Sequence, residues 1–221
     1  TIRKIRYEGL ELSKDELILE VGFVINCKIA LRLVQAFKVK VSVELHPAVS
    51  RDIERTLYYG RRYFKVCPEF FIVKVPLTPE GYLAVRKLTQ DNIPINFTLG
   101  FSARQNYLAA RLSNPDFVNV FLGRLNQVVI DHNAGSGDQV GEKVTLSTQN
   151  ALIEARKNHE NVKSRLIGAS VRNGEQVAFL AGLDVLTIPP KAIKEFQESG
   201  KLTSEVFSNL DKELVPGIDS Y

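Results

Sequence analysis

The sequence contains no methionine, not even at its first position, and only two cysteines among 221 residues. Average composition would supply several methionines at this length, so the absence predicts a piece of a longer protein or a sequence from which modified methionines are omitted. Cys27 and Cys67 have no metal-type spacing and read as buried free thiols in a reducing, cytoplasmic compartment rather than as a disulfide framework. There is no run of Lys or Arg. The net charge of +4 and pI of about 9.0 therefore do not indicate nucleic-acid binding, and suit phosphorylated small molecules equally well. The most apolar stretch, 17–37, is interrupted by Glu20, Lys28 and Arg32 and does not read as a membrane span. No secretory signal pattern is visible. No glycine-rich loop follows the first strand, which weighs against a dinucleotide-binding fold.

What remains is ordinary for a globular protein: 44% hydrophobic and 24% charged residues, enough chain for one or two domains. Residues 1–12 are weakly patterned. Ser13-Lys14-Asp15-Glu16 is a capping-box signature opening a helix to Phe37. Strands are expected at 38–46, 70–75, 94–99, 117–122, 164–170 and 184–188. Helices are expected at 50–63, 79–91, 102–112, 143–159 and 173–181, with two more at 191–198 and 204–214; residues 131–138 read as a loop. Strict strand–helix alternation with nearly continuous apolar strands predicts a parallel sheet covered by helices. Such a sheet is either doubly wound or closed as a (β/α)8 barrel. A barrel needs eight strands and six are visible after a leading helix, so either the first two strands lie outside the sequence, which the absent Met favours, or the leading segment forms them in a way its pattern does not show.

The stretch from Phe70 to Gly81 holds the sharpest signal. Phe70-Phe71-Ile72-Val73-Lys74-Val75 reads as a buried strand stopped by Pro76, and Thr78-Pro79-Glu80 opens the next helix. Lys74 interrupts the apolar run. A lysine in a strand core loses hydration, which favours the neutral amine, and a neutral amine can attack a carbonyl to form a carbinolamine and then a Schiff base. The competing reading is a lysine near a strand end that snorkels its ammonium to water. Other polar residues gather where strands end: Glu44, Asn96 and Thr98 (two apart, hence on one face), Arg124, and Ser170 with Arg172. Each alone has a bland reading as an edge residue, a surface ion pair or a helix cap. Together, at the same end of successive strands, they match the needs of a Schiff-base aldolase: a nucleophilic amine, a carboxylate to move protons, donors for hydroxyls, and planar cations for a phosphate.

The motif Phe71-Ile-Val-Lys74-Val-Pro-Leu-Thr-Pro-Glu-Gly81 resembles the lysine signature of the transaldolase and fructose-6-phosphate aldolase family. Val41-Ser-Val-Glu44 is similar to its third-strand glutamate motif, and Ile95-Asn-Phe-Thr98-Leu-Gly-Phe-Ser-Ala-Arg-Gln105 to its Asn-x-Thr stretch. Phe121-Leu-Gly-Arg124 resembles its Phe-x-Gly-Arg phosphate motif. Ala169-Ser-Val-Arg-Asn173, Leu180-Ala-Gly182 and Leu186-Thr-Ile-Pro-Pro190 resemble its last two strands. The resemblance implies one (β/α)8 barrel domain over 1–221 with strands three to eight visible, and no metal or other cofactor. It implies a soluble cytoplasmic homo-oligomer of carbohydrate metabolism in the pentose phosphate pathway, acting on a sugar phosphate without nucleic-acid or membrane partners. Lys74 would be the Schiff-base nucleophile, with Glu44 and Thr98 holding a proton-relaying water. Asn96 would bind substrate hydroxyls, Phe121 would line the substrate site, and Arg124, Ser170 and Arg172 would hold the phosphate.

The chain departs from the pattern in lacking a first-strand Asp and a second-strand Thr-Asn-Pro, and in having Asn119-Val120 where the family carries Ser-Pro. Phe121 in place of Tyr favours a transaldolase, transferring a dihydroxyacetone unit, over a free fructose-6-phosphate aldolase. A third reading, an inactive sugar-phosphate-binding relative, would follow from loss of the first-strand Asp.

Overall fold

The computed structural model describes residues 12–200 and 206–219. The start of the chain, and the first two residues of the expected 204–214 helix, lie outside the described residues. The chain divides into two compact units, Thr1–Asn96 and Phe97–Tyr221. Six strands lie in chain order in one sheet, and the first and second, fourth and fifth, and fifth and sixth of them pair in parallel. This is an α/β protein built on a six-stranded parallel sheet, as the alternation predicts.

In the first unit, α1 (Lys14–Phe37) begins at the expected capping box: Ser13 Oγ accepts from the Glu16 N–H, and the Glu16 carboxylate accepts from the Ser13 N–H. The helix buries Leu19, Phe23, Cys27, Ala30 and Val34, a stripe at helical spacing. Then come β1 (Val41–Glu44), a short 3-10 turn (Pro47–Val49), α2 (Ile53–Val66), β2 (Phe71–Pro76) and α3 (Pro79–Gln90). Glu20 inside the apolar helix is accounted for by α2. Arg62 Nη2 donates to its carboxylate at 2.8 Å and the Tyr59 hydroxyl at 2.9 Å. Chiefly through Arg62, and against the effect of burial, the Glu20 carboxyl is held below its ordinary range. Cys27 is buried and its thiol pushed up to about 11 by desolvation, whereas Cys67 is half-buried rather than buried. Both thiols are free.

Strand β3 (Ile95–Thr98) begins in the first unit and ends in the second. The second unit continues with α4 (Ala103–Leu112), β4 (Phe117–Phe121), α5 (Leu122–Asp131), α6 (Val140–Asn158), β5 (Arg165–Ala169), α7 (Gly174–Phe179), β6 (Val185–Leu186) and α8 (Pro190–Glu198). Its core joins Leu122, Leu146, Val171, Leu180 and Ala192 with Leu214 from the C-terminal segment. Burying each such leucine is worth roughly 1.5–3 kcal/mol.

One helix has no counterpart in the sequence reading, and one expected helix needs correction. Helix α5 is not foreseen from the sequence, because no side chain caps it: Phe121 stands at the N-cap and makes no side-chain cap bond. The expected 204–214 helix is absent over its described residues, 206–214, which run as an irregular strap with a turn at Leu210. Other side chains take its carbonyls: Asn150 donates to Leu210 O, and Lys143 Nζ to Leu214 O. The strap ends in a short backbone ladder, with Gly137 N–H donating to Gly217 O and Gly217 N–H to Asp138 O. A Cβ on Gly217 would crowd Ser136 Oγ and lie 3.0 Å from the Asp138 backbone nitrogen, so a larger residue here would push these neighbours aside.

At the start of β5, Asp184 accepts from the Leu166 N–H at 3.0 Å and from Arg156 at 3.0 and 3.2 Å. Burial pushes its carboxyl up, but the Leu166 N–H, Gln149 and Arg156 outweigh that and hold it below the ordinary value. A depressed folded value means the stabilisation is present above the unfolded value of about 3.9 and is lost as pH falls through the folded one. Replacing Asp184 by Ala is expected to cost about 2 kcal/mol at pH 7. Denaturant titration should show that penalty shrinking below about pH 4.

Candidate active site

Strand β2 is buried along its whole length except at Lys74. Its register explains why. Glu44 stands level with Lys74 and Val43 with Val73. Val43 and Val73 are completely buried, while on β1 Ser42 and Glu44 are exposed on the opposite face. Lys74 therefore projects on the face that carries Ser42 and Glu44, with its side chain 23% exposed. The expectation of a lysine sealed in a strand core is corrected to a half-buried lysine beside a carboxylate. Its Nζ donates to Glu44 Oε2 at 3.1 Å, and the Glu44 side chain is half exposed. The pair puts the amine one proton transfer from a carboxylate.

The Val73 N–H bonds Pro94 O at 2.9 Å, which sets Ile95 level with Val73 and Asn96 level with Lys74. Asn96 is buried; its Nδ2 donates to Ser42 Oγ at 3.1 Å and its Oδ1 has no protein partner. Ser42 is a residue that sequence reasoning passed over, although its i, i+2 relation to Glu44 on a strand would have placed it on the same face.

In the second unit Thr98 is fully buried, and its Oγ1 accepts and donates no hydrogen bond. Leu99 directly after it has φ 69, and Ser170 directly after β5 has φ 66. Left-handed backbone at non-glycine residues is uncommon, and here it ends two strands beside candidate site residues. Phe121, half-buried, packs against Phe101 with ring centroids 6.1 Å apart. Arg124 lies in the first turn of α5, whose N-terminal N–H groups no side chain caps. Such a helix end favours an anion. Gly123 brings this turn against the end of β5: a Cβ there would lie 2.4 Å from Ser170 O and 2.6 Å from Arg172 Nε. Ser170 and Arg172 thus pack against Gly123, and Arg124 is the next residue in the chain. Both arginines are exposed, and neither has an ion-pair partner among the described residues.

A polar chain braces this corner. The Arg172 N–H donates to Gln176 Oε1, Gln176 Nε2 to Glu142 Oε1, Asn126 Nδ2 to Glu142 Oε2, and the Gly141 N–H to Asn126 Oδ1. Glu142 is buried and both its oxygens are satisfied. Asn126, Glu142 and Gln176 also line an open groove of about 930 Å³. Among the described residues no group of three or more His, Cys, Asp or Glu is placed to hold a metal ion. Nor is any described helix long and apolar enough to cross a membrane.

Fold and site together define the class: a parallel α/β protein with an amine–carboxylate pair at the C-terminal ends of adjacent strands and a separate guanidinium corner. The family model described as Transaldolase/Fructose-6-phosphate aldolase matches residues 1–216, and the chain belongs to that family. Similar proteins include a "Probable transaldolase" of Hyphomonas neptunium, 34% identical over 148 residues, 66% of this chain and 61% of that protein. Another, from Nitrosopumilus maritimus, is 33% identical over 160 residues, covering 72% of this chain and 64% of the relative. A third, from Syntrophobacter fumaroxidans, is 32% identical over 186 residues, 83% and 74%. The chain spans less than two thirds of the length of the first two.

Proposed function

We propose that the protein is a transaldolase that moves a dihydroxyacetone unit between sugar phosphates through a Schiff base on Lys74. The observation that carries this reading is the 3.1 Å contact of Lys74 Nζ with Glu44 Oε2 at adjacent strand ends; family membership supports it. In this reading the neutral Lys74 amine adds to the ketose C2 carbonyl. The carbinolamine then loses water to give an iminium ion. A base takes the proton of the C4 hydroxyl, the C3–C4 bond breaks, an aldehyde phosphate leaves, and the bonding electrons pass to the iminium, giving an enamine. Addition of that enamine to an acceptor aldehyde, followed by hydrolysis, returns the free lysine.

Glu44, with Thr98, is assigned the proton relay, and Asn96 the substrate hydroxyls. Phe121 is assigned to the wall of the substrate site. Arg124, Ser170 and Arg172 are assigned the phosphate, for which exposed guanidinium forks beside an uncapped helix N-terminus are suited. Glu44→Gln keeps the shape and loses the base. It is expected to lower kcat by about 100-fold while an adduct on Lys74 can still be trapped with borohydride.

The family description also names fructose-6-phosphate aldolase. A coupled assay with and without erythrose 4-phosphate separates the two activities. Product formation that depends on the acceptor supports transaldolase; equal rates without it support the free aldolase. The full (β/α)8 barrel, as one domain with two strands preceding β1, belongs to the same proposal. It is supported by the edge position of β1 in the strand order and by Ile18, Ile25 and Ile29 exposed on α1, surfaces that a preceding strand and helix would cover. Homo-oligomeric assembly is likewise proposed, and light scattering of the full-length protein reads it.

A further inference from the structure

Glu142 is a charged residue that its own helix does not explain. It stands in the first turn of α6, where an acid ordinarily faces water and favours the positive end of the helix dipole. Here it is 6% exposed. Among the described residues no Lys or Arg lies within ion-pair distance of it. A carboxylate buried without a cation is costly, and an apolar side chain at this place would avoid the cost.

The directions of its hydrogen bonds show what the carboxylate supplies. The chain of bonds starts and ends on backbone N–H groups, which only donate: Arg172 N–H to Gln176 Oε1 at 2.7 Å, and Gly141 N–H to Asn126 Oδ1 at 2.6 Å. Each end therefore claims an amide oxygen and turns the NH2 of the same amide towards Glu142. Gln176 Nε2 meets Glu142 Oε1 at 2.6 Å, and Asn126 Nδ2 meets Oε2 at 3.0 Å. A residue held between two NH2 groups has to accept at both of its oxygens. A carboxylate does so, whereas a glutamine would set its own NH2 against one of them. Bonds to a carboxylate are also roughly twice as strong as those between neutral groups. The two arms lead to the two segments of the guanidinium corner. Asn126 follows Arg124 on the same turn of α5, and Gln176 holds the Arg172 N–H just after Ser170, whose φ is 66.

We propose that Glu142 is a positioning residue for phosphate recognition, which fixes the orientation of both amides and through them holds the Arg172 turn in place beside α5. This rests on the sugar-phosphate reading above, and gives a role to a residue that does not itself touch substrate. Binding groups ordered before the ligand arrives lose less freedom when it binds, so the effect falls on affinity for the phosphate.

The test compares full-length wild type with Glu142→Gln, with Gln176→Met, and with the double swap of Glu142→Gln and Gln176→Glu, on fructose 6-phosphate and on unphosphorylated fructose. Glu142→Gln is expected to raise KM for fructose 6-phosphate about tenfold, with kcat within about twofold and kcat/KM for fructose unchanged. Gln176→Met, which cuts only the arm to Arg172, should do the same. In the double swap the carboxylate at position 176 accepts from the Arg172 N–H and from the amide at position 142, whose oxygen accepts from Asn126. Every bond then keeps its direction, and KM should return to within about twofold of wild type. Equal losses on both sugars, an unchanged KM for fructose 6-phosphate in either single variant, or a folded double swap that keeps the raised KM would overturn the inference. If the double swap does not fold, Gln176→Met decides alone by the same criterion. Failure of the underlying reading is separately visible: wild type would then give no borohydride-trapped adduct with fructose 6-phosphate, and both readings would fall.

Discussion

Replacing Lys74 by Met is expected to abolish turnover, by at least about 10⁴-fold in kcat, while leaving the protein folded. Two quantities support separating activity from stability. The Lys74 side chain is 23% exposed and its partner Glu44 50% exposed. The lost ion pair is therefore a well-solvated one, worth no more than about 1 kcal/mol. Methionine also suits the site, because the residues flanking Lys74 on its own face of β2, Ile72 and Pro76, are buried. The glutamate left behind stays hydrated and adds no buried unpaired charge. Chemical loss should thus be complete and thermal loss slight. Steady-state kinetics beside thermal denaturation of the same preparation decides it. A variant with more than a few per cent of wild-type activity would remove Lys74 from the chemistry.

Gly123→Ala is expected to produce a large stability loss for the addition of a single methyl group. Alanine is the better helix former, by roughly 1 kcal/mol, and Gly123 lies in the first turn of α5. On propensity alone the change would stabilise. The added Cβ, however, would sit 2.4 Å from the Ser170 carbonyl oxygen and 2.6 Å from Arg172 Nε. The arginine can swing aside. The carbonyl belongs to backbone at the end of β5 and cannot move without shifting that strand end, whose Ser170 already has φ 66. Overpacking of this kind costs about 3 kcal/mol, so the net effect is destabilising, a fall in Tm of roughly 5–10 °C. Because the displaced groups are the proposed phosphate ligands, KM for fructose 6-phosphate should rise while that for unphosphorylated fructose does not. A Gly123→Ala protein with unchanged Tm and unchanged KM would show that α5 and the end of β5 do not need this close approach.

The sheet was legible because its signals are local. Pro47, Pro76 and Pro94 bracket apolar runs, and Thr78, Ser102 and Asn173 cap the helices that follow, each accepting the expected backbone N–H. All six expected strands are present, each within a few residues of its expected bounds. Helix α5 was not legible because it starts directly at Phe121 without a capping side chain. The C-terminal strap misled for the opposite reason. Leu210 and Leu214 have helical spacing, but both pack on the second unit's core while Asn150 and Lys143 take their carbonyls. Such competition is tertiary and leaves no trace in the local pattern.

For the candidate site, the sequence brought out residues at strand ends, and the structure shows Lys74 level with Glu44. The degree of exposure of Lys74 was not readable, because the apolar run implies burial on both faces and only the register reveals that its neighbour on β1 is a half-exposed glutamate. Ser42 was not singled out because a serine on an exposed strand face carries no signal by itself; its significance lies in the bond it accepts from Asn96.

The most direct test of the central claim is mass spectrometry of the full-length protein after borohydride reduction in the presence of fructose 6-phosphate. The predicted result is a single reduced dihydroxyacetone adduct on the peptide that contains Lys74, absent when borohydride or the ketose is omitted. Turnover of fructose 6-phosphate with Lys74 unmodified, or an adduct on a different lysine, would contradict it.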